Sequence, residues 1–389
     1  MSNTTQVGVI GSAIFAPRYP ERASLEEAQH AAAQAALRDA GLTIDDIDGI
    51  VVAGCDQLDG RAISIMMASG SVGGVGRDIL STPSSAEHAF VLGTLRVRSG
   101  MYRTHLVMAW SPLETDDISN TQRLGTDPYF HRSLPLDELS SHALQANALE
   151  AKVPDLRAAA IAVVEQNRRN GARAHPDYSP APQQASMIEG SRMLRWPINE
   201  GMVAPPAYGI VAMVLADAGY VAEKSIANPA WVTGMGWATE PGFLGDRDLS
   251  TLPSLQSATA QAYREAGVAE GAPSFDIAEV ADATPYQQLV ALEGLGLCAR
   301  TEWSQAVKAG DFAAGGKLPV NLSGGALCFN AGFCAGLIRI CEAARQVRGT
   351  AGPHQKADVR TAVAHGASGF AMQYNTVVVF GRDPQEPKK

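Results

Sequence analysis

The sequence predicts an α/β protein whose β-sheet is covered by helices on both faces. Two observations predict this class. Apolar runs of strand length alternate with helical stretches, and the same alternation is repeated in the second part of the chain. The 389 residues, 46% of them hydrophobic and 18% charged, supply one large core or two coupled ones. The similar order of elements in the two parts suggests an internal duplication.

The first elements of the chain have clear boundary signals. A strand is predicted at VGVIGSAIF and a helix after it, with Ser24 as N-cap, Glu27 at the capping-box position and Gly41 at the C-terminal end. IDGIVVAGC and THLVMAWSPLE are continuous apolar runs, as expected for strands covered on both faces. Between them, the hydroxyl-rich turn STPSS leads into a helix that stops at Gly100.

Residues 113–205 interrupt this alternation, and we interpret them as an insertion that covers the sheet and builds a binding surface. The insertion contains a long helix at DLRAAAIAVVEQNRRNGARA, and the sheet resumes at AYGIVAMVLAD and AWVTGMGWATE. The second half is predicted as the helix LPSLQSATAQAYREAGV, the strand FDIAEVAD, the helices PYQQLVALEGLG and CAGLIRICEAARQVRG, and the closing strands VRTAVAHGA and AMQYNTVVVFG. We therefore predict an N-terminal half at 1–250 and a C-terminal half at 251–389.

Composition excludes several classes of function. A net charge of −9 and a pI near 5.4 argue against nucleic acid and anionic membranes as partners. No apolar run reaches the ~18 residues that span a bilayer, and the N-terminus has no secretory signal pattern. The five cysteines, Cys55, Cys298, Cys328, Cys334 and Cys341, include no CxxC pair. We therefore expect no disulfide framework, no metal site and a cytoplasmic location.

Several stretches in the same order resemble the thiolase superfamily, and most of all its sterol-carrier-protein type. They include AAAQAALRDAGLTIDDIDGIVV, the helix ending RVRSG, SSHALQANALEAKVPDLRAAAIAVVEQNRRNGARAHP, DIAEVADATPYQQLVALEGLGLC, VNLSGGALCFNAGFCAGLIRICEAARQVRG and AVAHGASGFAMQYNTVVVF. The resemblance covers nearly the whole chain. It implies a five-layered αβαβα fold of two similar halves, a homodimer, and acyl-CoA thioesters as substrates.

The sequence departs from the thiolase pattern at three of four catalytic positions. The family's nucleophilic cysteine falls on Pro83, or on Thr82 if one residue is inserted. A second catalytic position falls on Ala281, and the family's catalytic histidine falls on Asn330 or Ala331. Only the last motif offers a titratable group, His365. Without the cysteine, the acyl-enzyme intermediate of ordinary thiolases is not expected.

Retro-aldol cleavage of a β-hydroxyacyl-CoA needs a base and an oxyanion site but no covalent intermediate. The pattern is similar to cysteine-free thiolase-like aldolases, which use tyrosines and work with a small partner that has an OB-fold and a zinc ribbon. Tyr286 is the best local candidate for the base, and the alternative is that it opens a helix and packs. The second tyrosine of such aldolases is missing, since ALCFNAGFC contains none.

The candidate residues follow from these motifs. His365 is predicted to move a proton, the alternative being a hydrogen bond to a neighbouring carbonyl, and Asn330 to bond a thioester carbonyl or form a turn. The predicted catalytic residues are His365, Tyr286, Asn330 and Thr82. The predicted substrate-binding residues are Ser84, Ser85, His88, Gly324, Gly325 and Gly366. We predict no cofactor, since CoA enters as part of the substrate.

Two other functions are compatible with the same residues. One is an acyltransferase or thiolase whose nucleophile is replaced by Thr82, Cys328 or Cys334. The other is a scaffold that binds acyl-CoA or stabilises a catalytic partner without reacting. Glu87 and His88 lie one turn into the helix after STPSS. One of them is predicted to face the pocket, the alternative being a packed or solvated pair.

Overall fold

The described part of the protein forms one nine-stranded sheet and one small hairpin. A computed structural model describes residues 5–16, 24–60, 63–111, 118–269, 271 and 273–385. Residues 1–4, where no secretory signal is predicted, and residues 113–117 of the predicted insertion lie outside the described ranges. The strands are β1 (Val7–Phe15), β2 (Gly49–Ala53), β3 (Asp78–Thr82), β4 (Thr104–Ser111), β5 (Met193–Arg195), β6 (Ile198–Asn199), β7 (Gly209–Asp217), β8 (Ala230–Thr239), β9 (Ile277–Val280), β10 (Thr361–Ser368) and β11 (Tyr374–Gly381).

The helices occupy most of the segments between the strands. They are α1 (Leu25–Ala40), α2 (Asp56–Asp59), α3 (Ser64–Ser71), α4 (Ala86–Arg98), α5 (Ile118–Leu124), α6 (Glu138–Glu150), α7 (Leu156–Ala174), α8 (Ala185–Glu189), α9 (Ala218–Glu223), α10 (Pro253–Ala266), α11 (Pro285–Gly294), α12 (Trp303–Ala309) and α13 (Ala335–Arg348). None of the helices in the described ranges is both long and apolar enough to cross a membrane.

The strand order repeats in the two parts of the large sheet. The sheet runs β3-β2-β4-β7-β1-β8-β11-β10-β9, and Val320 adds a parallel bridge beyond β9. If the strands of each part are numbered in chain order, and the Val320 bridge counts as the third strand of the second part, both parts have the spatial order third, second, fourth, fifth, first. The parallel and antiparallel pairs also correspond. The third strand of the second part is reduced to that single bridge.

Helices α4 and α13 form the central layer of the molecule. Both helices share one apolar core with inner faces of the strands from both parts of the sheet. Phe90 of α4 packs edge to face on Phe380 of β11, with ring centroids 5.9 Å apart. On the outer faces, α1 covers the first part and α10 and α11 cover the second. The predicted αβαβα arrangement of two similar halves is thus confirmed. The division at residue 250 stays a prediction, although by strand order β8 opens the second part.

Local signals explain most of the element boundaries. Ser24 and Glu27 form the predicted capping box at the start of α1, and Gly41 ends the helix with φ +69°. The strands β1, β2, β4, β7, β8, β9, β10 and β11 and the helices α1, α4, α7, α10, α11 and α13 coincide with the predicted stretches. The edge strand β3 was not predicted, because its polar sequence DILST is mostly exposed and has no apolar run.

Candidate functional site

The first turns of α4 and α13 meet at one end of the sheet. A Cβ atom built on Gly336 of α13 would lie 2.3 Å from Oε2 of Glu87 on α4. A Cβ atom built on Gly366 of β10 would lie 3.1 Å from Cβ of Glu87. Only glycine at these positions lets the three elements approach so closely. Gly366, predicted to bind substrate, therefore has a packing contact with Glu87, and its contact with substrate stays a prediction.

Glu87 is the acidic group at this junction. Its side chain is completely buried, and burial raises the pKa of its carboxyl group to about 7. Its own backbone N–H and the hydroxyl groups of Ser368 and Ser85 counteract part of the rise in pKa. Neither carboxylate oxygen forms a hydrogen bond of good geometry with a described residue. A carboxyl group with a pKa near neutrality is suited to act as a general acid or base.

Three predicted residues form a hydrogen-bonded chain across the start of α4. The hydroxyl of Thr82, the last residue of β3, lies 2.8 Å from that of Ser84, and Ser84 Oγ lies 2.8 Å from Nδ1 of His88. Burial lowers the pKa of His88, so its imidazole is neutral at neutral pH and can accept the hydroxyl proton of Ser84. Ser84 itself is exposed to solvent. The structure thus brings together a hydroxyl group and a base.

Ser85 occupies the N-cap position of α4 but does not cap the helix. Its side chain accepts no capping hydrogen bond, and its buried hydroxyl has no partner of good geometry among the described residues. The first-turn N–H groups of a 13-residue helix are therefore not used by a side-chain cap. Such groups, together with the positive end of the helix dipole, favour an anion at this position.

A small cleft with a free volume of about 30 Å³ lies beside the junction. Its polar lining consists of Glu138, His142, Asp282, Gln287, Arg339 and Ser368, and its small or apolar lining of Ala281, Ala283, Ala326, Ala335, Gly336, Ala367, Gly369 and Met372. Gly336 and Ser368 connect the cleft to Glu87. Ala281, which stands at one of the altered family positions, lies in the wall.

Asp282 holds the glycine-rich loop that follows Val320. Its Oδ1 accepts a hydrogen bond of 2.6 Å from the backbone N–H of Ala326, and its Oδ2 accepts one of 2.8 Å from Nδ2 of Asn167. Burial raises the pKa of Asp282 to about 6. A Cβ atom on Gly325, which has φ +67°, would lie 1.9 Å from Oδ2 of Asp282. Gly325 is therefore needed to wrap the loop around this carboxyl group, and its predicted contact with substrate stays a prediction.

His365 lies on the opposite face of the sheet from Glu87. Since side chains alternate along a strand and Gly366 faces Glu87, His365 points towards α10. Its Nε2 lies 2.9 Å from Oδ1 of Asn375, whose Nδ2 donates to Oγ of Ser254 on α10. Burial lowers the pKa of His365 to about 4. The structure does not bring this neutral imidazole to the cleft, and its catalytic role stays a prediction.

Tyr286 is packed in the outer layer and bonded to an acid. Its side chain is completely buried, and its hydroxyl donates a hydrogen bond to Oε1 of Glu150. Burial raises the pKa of Tyr286 well above its usual range, and Glu150 raises it further, while Arg157 counteracts. A higher pKa opposes the base role predicted for Tyr286. The residue opens α11 and packs, as the alternative interpretation expected.

Asn330 bonds to a neighbouring segment rather than to α4. Its Nδ2 donates to the carbonyl of Ala204 at 3.3 Å, and its own carbonyl accepts a hydrogen bond from the N–H of Ala207 at 2.8 Å. These contacts connect the loop before α13 to the end of the predicted insertion. A substrate contact of Asn330 stays a prediction.

The two cysteines considered as replacement nucleophiles are buried and bonded to backbone. Sγ of Cys328 lies 3.1 Å from the carbonyl of Asn167, and Sγ of Cys334 lies 3.4 Å from that of Gly209. Burial raises the pKa of the Cys328 thiol to about 12 and raises that of Cys334 even further. Gly324, with φ +91°, leaves room for Cys328, since a Cβ atom there would lie 2.9 Å from the sulfur. Neither thiol has the ionised form that a nucleophile needs.

Sequence reasoning gave too little weight to Glu87 and did not select His142. Glu87 precedes Phe90, Val91 and Thr94 by three, four and seven residues, which places it on the buried face of α4. An acidic residue on the apolar face of a helix is a pattern visible in the sequence, and it indicates a buried carboxyl group. His142 lines the cleft from α6, more than 50 residues after Glu87, so no local pattern connects the two.

Comparisons with known proteins identify the fold. Residues 239–382 match the family described as thiolase C-terminal domain-like. The structure of an Ltp2-ChsH2(DUF35) aldolase superposes with a TM-score of 0.81 at 19% identity, covering 97% of each chain. Human mitochondrial 3-ketoacyl-CoA thiolase superposes with a TM-score of 0.69 at 14% identity, covering 98% of this chain and 100% of that one. The chain has the thiolase fold. The fold that the resemblance to the thiolase superfamily implies is thereby confirmed.

A curated sequence relative matches most of the chain. The acetyl-CoA acetyltransferase of Methanothermobacter thermautotrophicus is 24% identical over 348 residues, which cover 86% of this chain and 88% of the relative. The thiolase-fold chains similar to this one thus include an aldolase and an acetyltransferase.

Proposed function

We propose that this thiolase-fold protein cleaves a carbon–carbon bond of a β-hydroxyacyl-CoA thioester by retro-aldol chemistry, without a covalent cysteine intermediate. The observation that carries the proposal is Glu87. It combines complete burial, a pKa of about 7 and a position at the start of α4, beside the cleft. The thiols of Cys328 and Cys334 are unsuited to attack a thioester, which favours acid–base chemistry over acyl transfer to sulfur.

The reaction follows from one acid–base group and one oxyanion site. The Glu87 carboxylate takes the proton of the β-hydroxyl group, and the electron pair of that O–H bond forms the new carbonyl. The Cα–Cβ bond breaks, and its electron pair moves into the thioester as an enolate. N–H groups at the start of α4 stabilise the enolate oxygen. Glu87 then returns the proton to Cα, which yields an aldehyde or ketone and a shortened acyl-CoA.

Two variants, each of which removes one carboxylate, test this assignment. A panel of β-hydroxyacyl-CoA thioesters with short, aromatic and polycyclic chains is incubated with the protein, and carbonyl and acyl-CoA products are measured by mass spectrometry. Glu87→Gln is expected to lower cleavage by roughly 100-fold or more, because it removes the proton acceptor. Glu189→Gln, at an exposed helix end, is the control and keeps full activity. Equal turnover by both variants contradicts the proposal.

A second candidate function is acyl transfer through Ser84. The observation that favours it is the distance of 2.8 Å between Ser84 Oγ and Nδ1 of the neutral His88, at a helix N-terminus. The acetyltransferase relative supports the same reaction class. Brief incubation with acetyl-CoA or acetoacetyl-CoA, followed by intact mass and peptide mapping, separates the two functions. An acyl adduct that disappears in Ser84→Ala favours acyl transfer, whereas the lyase forms no adduct.

We further propose a cytoplasmic homodimer that works with a small OB-fold and zinc-ribbon subunit. The similar aldolase structure contains Ltp2 together with ChsH2(DUF35), which supports an assembly of this kind. The mass of the purified chain in solution tests the dimer. Purification from cells that express the chain with a neighbouring OB-fold gene tests the partner. A monomer that is fully active alone contradicts both expectations.

A further inference from the structure

Two histidines converge on one buried glutamate away from the cleft. Nε2 of His175, at the C-terminal end of α7, lies 3.2 Å from Oε1 of Glu342 on α13. Nε2 of His354, in the turn after α13, lies 3.0 Å from Oε2 of the same carboxylate. The three ligand atoms all lie within 4.8 Å of one another. None of these three residues lines the cleft.

The cluster is rigid and mostly shielded from water. The side chains of Glu342 and His354 are 0% and 3% exposed, and that of His175 is 14% exposed. The ring of Tyr178 stacks on that of His175, with centroids 4.9 Å apart. Packing therefore fixes the direction of the imidazole rings, and the exposed edge of His175 leaves a path for a small ion.

The cluster contains one acidic group, Glu342, with a basic side chain beside it. The Glu342 carboxylate contacts one nitrogen of each imidazole, that of His175 through Oε1 at 3.2 Å and that of His354 through Oε2 at 3.0 Å. Nη1 of Arg345 lies 3.7 Å from Oε1 of Glu342 and forms an ion pair with it, on a side chain that is 25% exposed. A cation bound between the imidazoles and Glu342 therefore shares this carboxylate with Arg345.

We propose that His175, Glu342 and His354 form a zinc site that fastens the end of α7 to α13. Two imidazole nitrogens and one carboxylate are a donor set that zinc accepts, with a fourth position left for water. Magnesium and calcium take mainly oxygen ligands and fit this set poorly. Ligands of a tetrahedral zinc ion lie about 3.3 Å apart, close to the separations of 3.0 and 3.2 Å found here. Binding requires each Nε2 to lose its hydrogen bond to Glu342 and move its proton to Nδ1.

The test measures zinc binding by the chain itself. The protein is treated with a chelator, dialysed and titrated with Zn²⁺ or Mg²⁺, and the bound metal and the melting temperature are measured. We expect one zinc per chain, a higher melting temperature with zinc, and no effect of magnesium. His175→Ala and His354→Ala should each lower zinc affinity roughly 100-fold or more, because even groups that only orient a ligand contribute about 10- to 100-fold.

Controls make the result independent of unfolding. His30→Ala, which removes an exposed imidazole on α1, should bind zinc like the wild type. Circular dichroism shows whether each variant is folded, and His175→Gln, at the partly exposed helix end, serves if an alanine variant is not. Absence of stoichiometric zinc binding in the wild type overturns the proposal. It is also overturned if folded variants of His175 and His354 keep the wild-type affinity.

Discussion

Glu87 and Glu279 are both completely buried, yet their surroundings differ. Glu279 accepts hydrogen bonds at 2.7 Å from Nη1 of Arg339 and at 2.7 Å from Oγ of Ser323. Glu87 has no hydrogen bond of good geometry with a described residue. Burial raises the pKa of both carboxyl groups, but only for Glu279 does a guanidinium counteract the rise. The difference teaches how a buried acid that holds the fold is distinguished from one kept for proton transfer.

The paired acid has a clear structural role. Arg339 joins β9, through Glu279, to the loop that contains Ser323, and its side chain also lines the cleft. A buried acid without an ionic partner destabilises the folded state, because the lost hydration of its charged form is compensated only in part. We interpret Glu87 as an acid that lowers the free energy of unfolding and is retained because the reaction needs it.

The largest expected effect comes from breaking the paired site. Arg339→Met leaves Glu279 buried without its counter-charge and should lower the free energy of unfolding by roughly 3–5 kcal/mol. Urea unfolding followed by circular dichroism measures the loss. The double variant Arg339→Met, Glu279→Gln should recover part of it, since the uncompensated acid is gone. A loss below about 1 kcal/mol in the single variant contradicts a structural role for the pair.

The next effect is the pH dependence of stability at Glu87. Its folded pKa of about 7 lies above its ordinary value of 4.5. The contribution of Glu87 to the free energy of unfolding is thus fully present below the ordinary pKa and is lost as the pH rises through the folded pKa. The wild type should therefore lose about 3 kcal/mol of unfolding free energy between about pH 4 and pH 8, relative to Glu87→Gln. Parallel pH series for both proteins would refute the elevated pKa.

A smaller change displaces the Glu87 carboxyl group without removing it. Gly336→Ala places a Cβ atom 2.3 Å from its Oε2, so the side chain must shift. We expect a stability loss of about 1–3 kcal/mol and a fall in cleavage of roughly 100-fold. Gly70→Ala in α3, where an added Cβ meets nothing within 4 Å, is the matched control and should change neither quantity adversely. Unchanged cleavage by Gly336→Ala would show that the position of the Glu87 carboxyl group does not affect the reaction.

The smallest effect is expected at Cys328. Because its thiol is buried and protonated, Cys328→Ala should leave cleavage within about twofold of the wild type. The lost hydrogen bond to Asn167 should lower the unfolding free energy by about 1 kcal/mol. Cleavage kinetics and urea unfolding check the two expectations. A fall in activity of about 100-fold would instead revive the replaced-nucleophile hypothesis.

Most of the fold could be predicted from the sequence, because long apolar runs and caps are local signals. The capping box of Ser24 and Glu27 and the continuous strand IDGIVVAGC identify their elements without tertiary information. The edge strand β3 and the short hairpin of β5 and β6 lack such signals. Their residues are mostly polar or exposed, and only pairing with neighbouring segments makes them strands.

The site could be predicted only in part. The turn at Thr82–Ser85 was identified correctly as the start of a helix, and Thr82, Ser84 and His88 are indeed hydrogen-bonded there. The direction of His365 depends on the register of β10 and β11. The partner of Tyr286, Glu150, lies more than 100 positions away along the chain. Family position alone could not show that His365 faces α10.

The rate of carbon–carbon cleavage as a function of pH tests the central claim most directly. For the wild type we expect kcat/KM to rise with pH and level off above an apparent pKa of about 7, the value for Glu87. Glu87→Gln should lose both this rise and most of the activity. A wild-type profile that is unchanged in Glu87→Gln would contradict the account, because another group would then carry the proton.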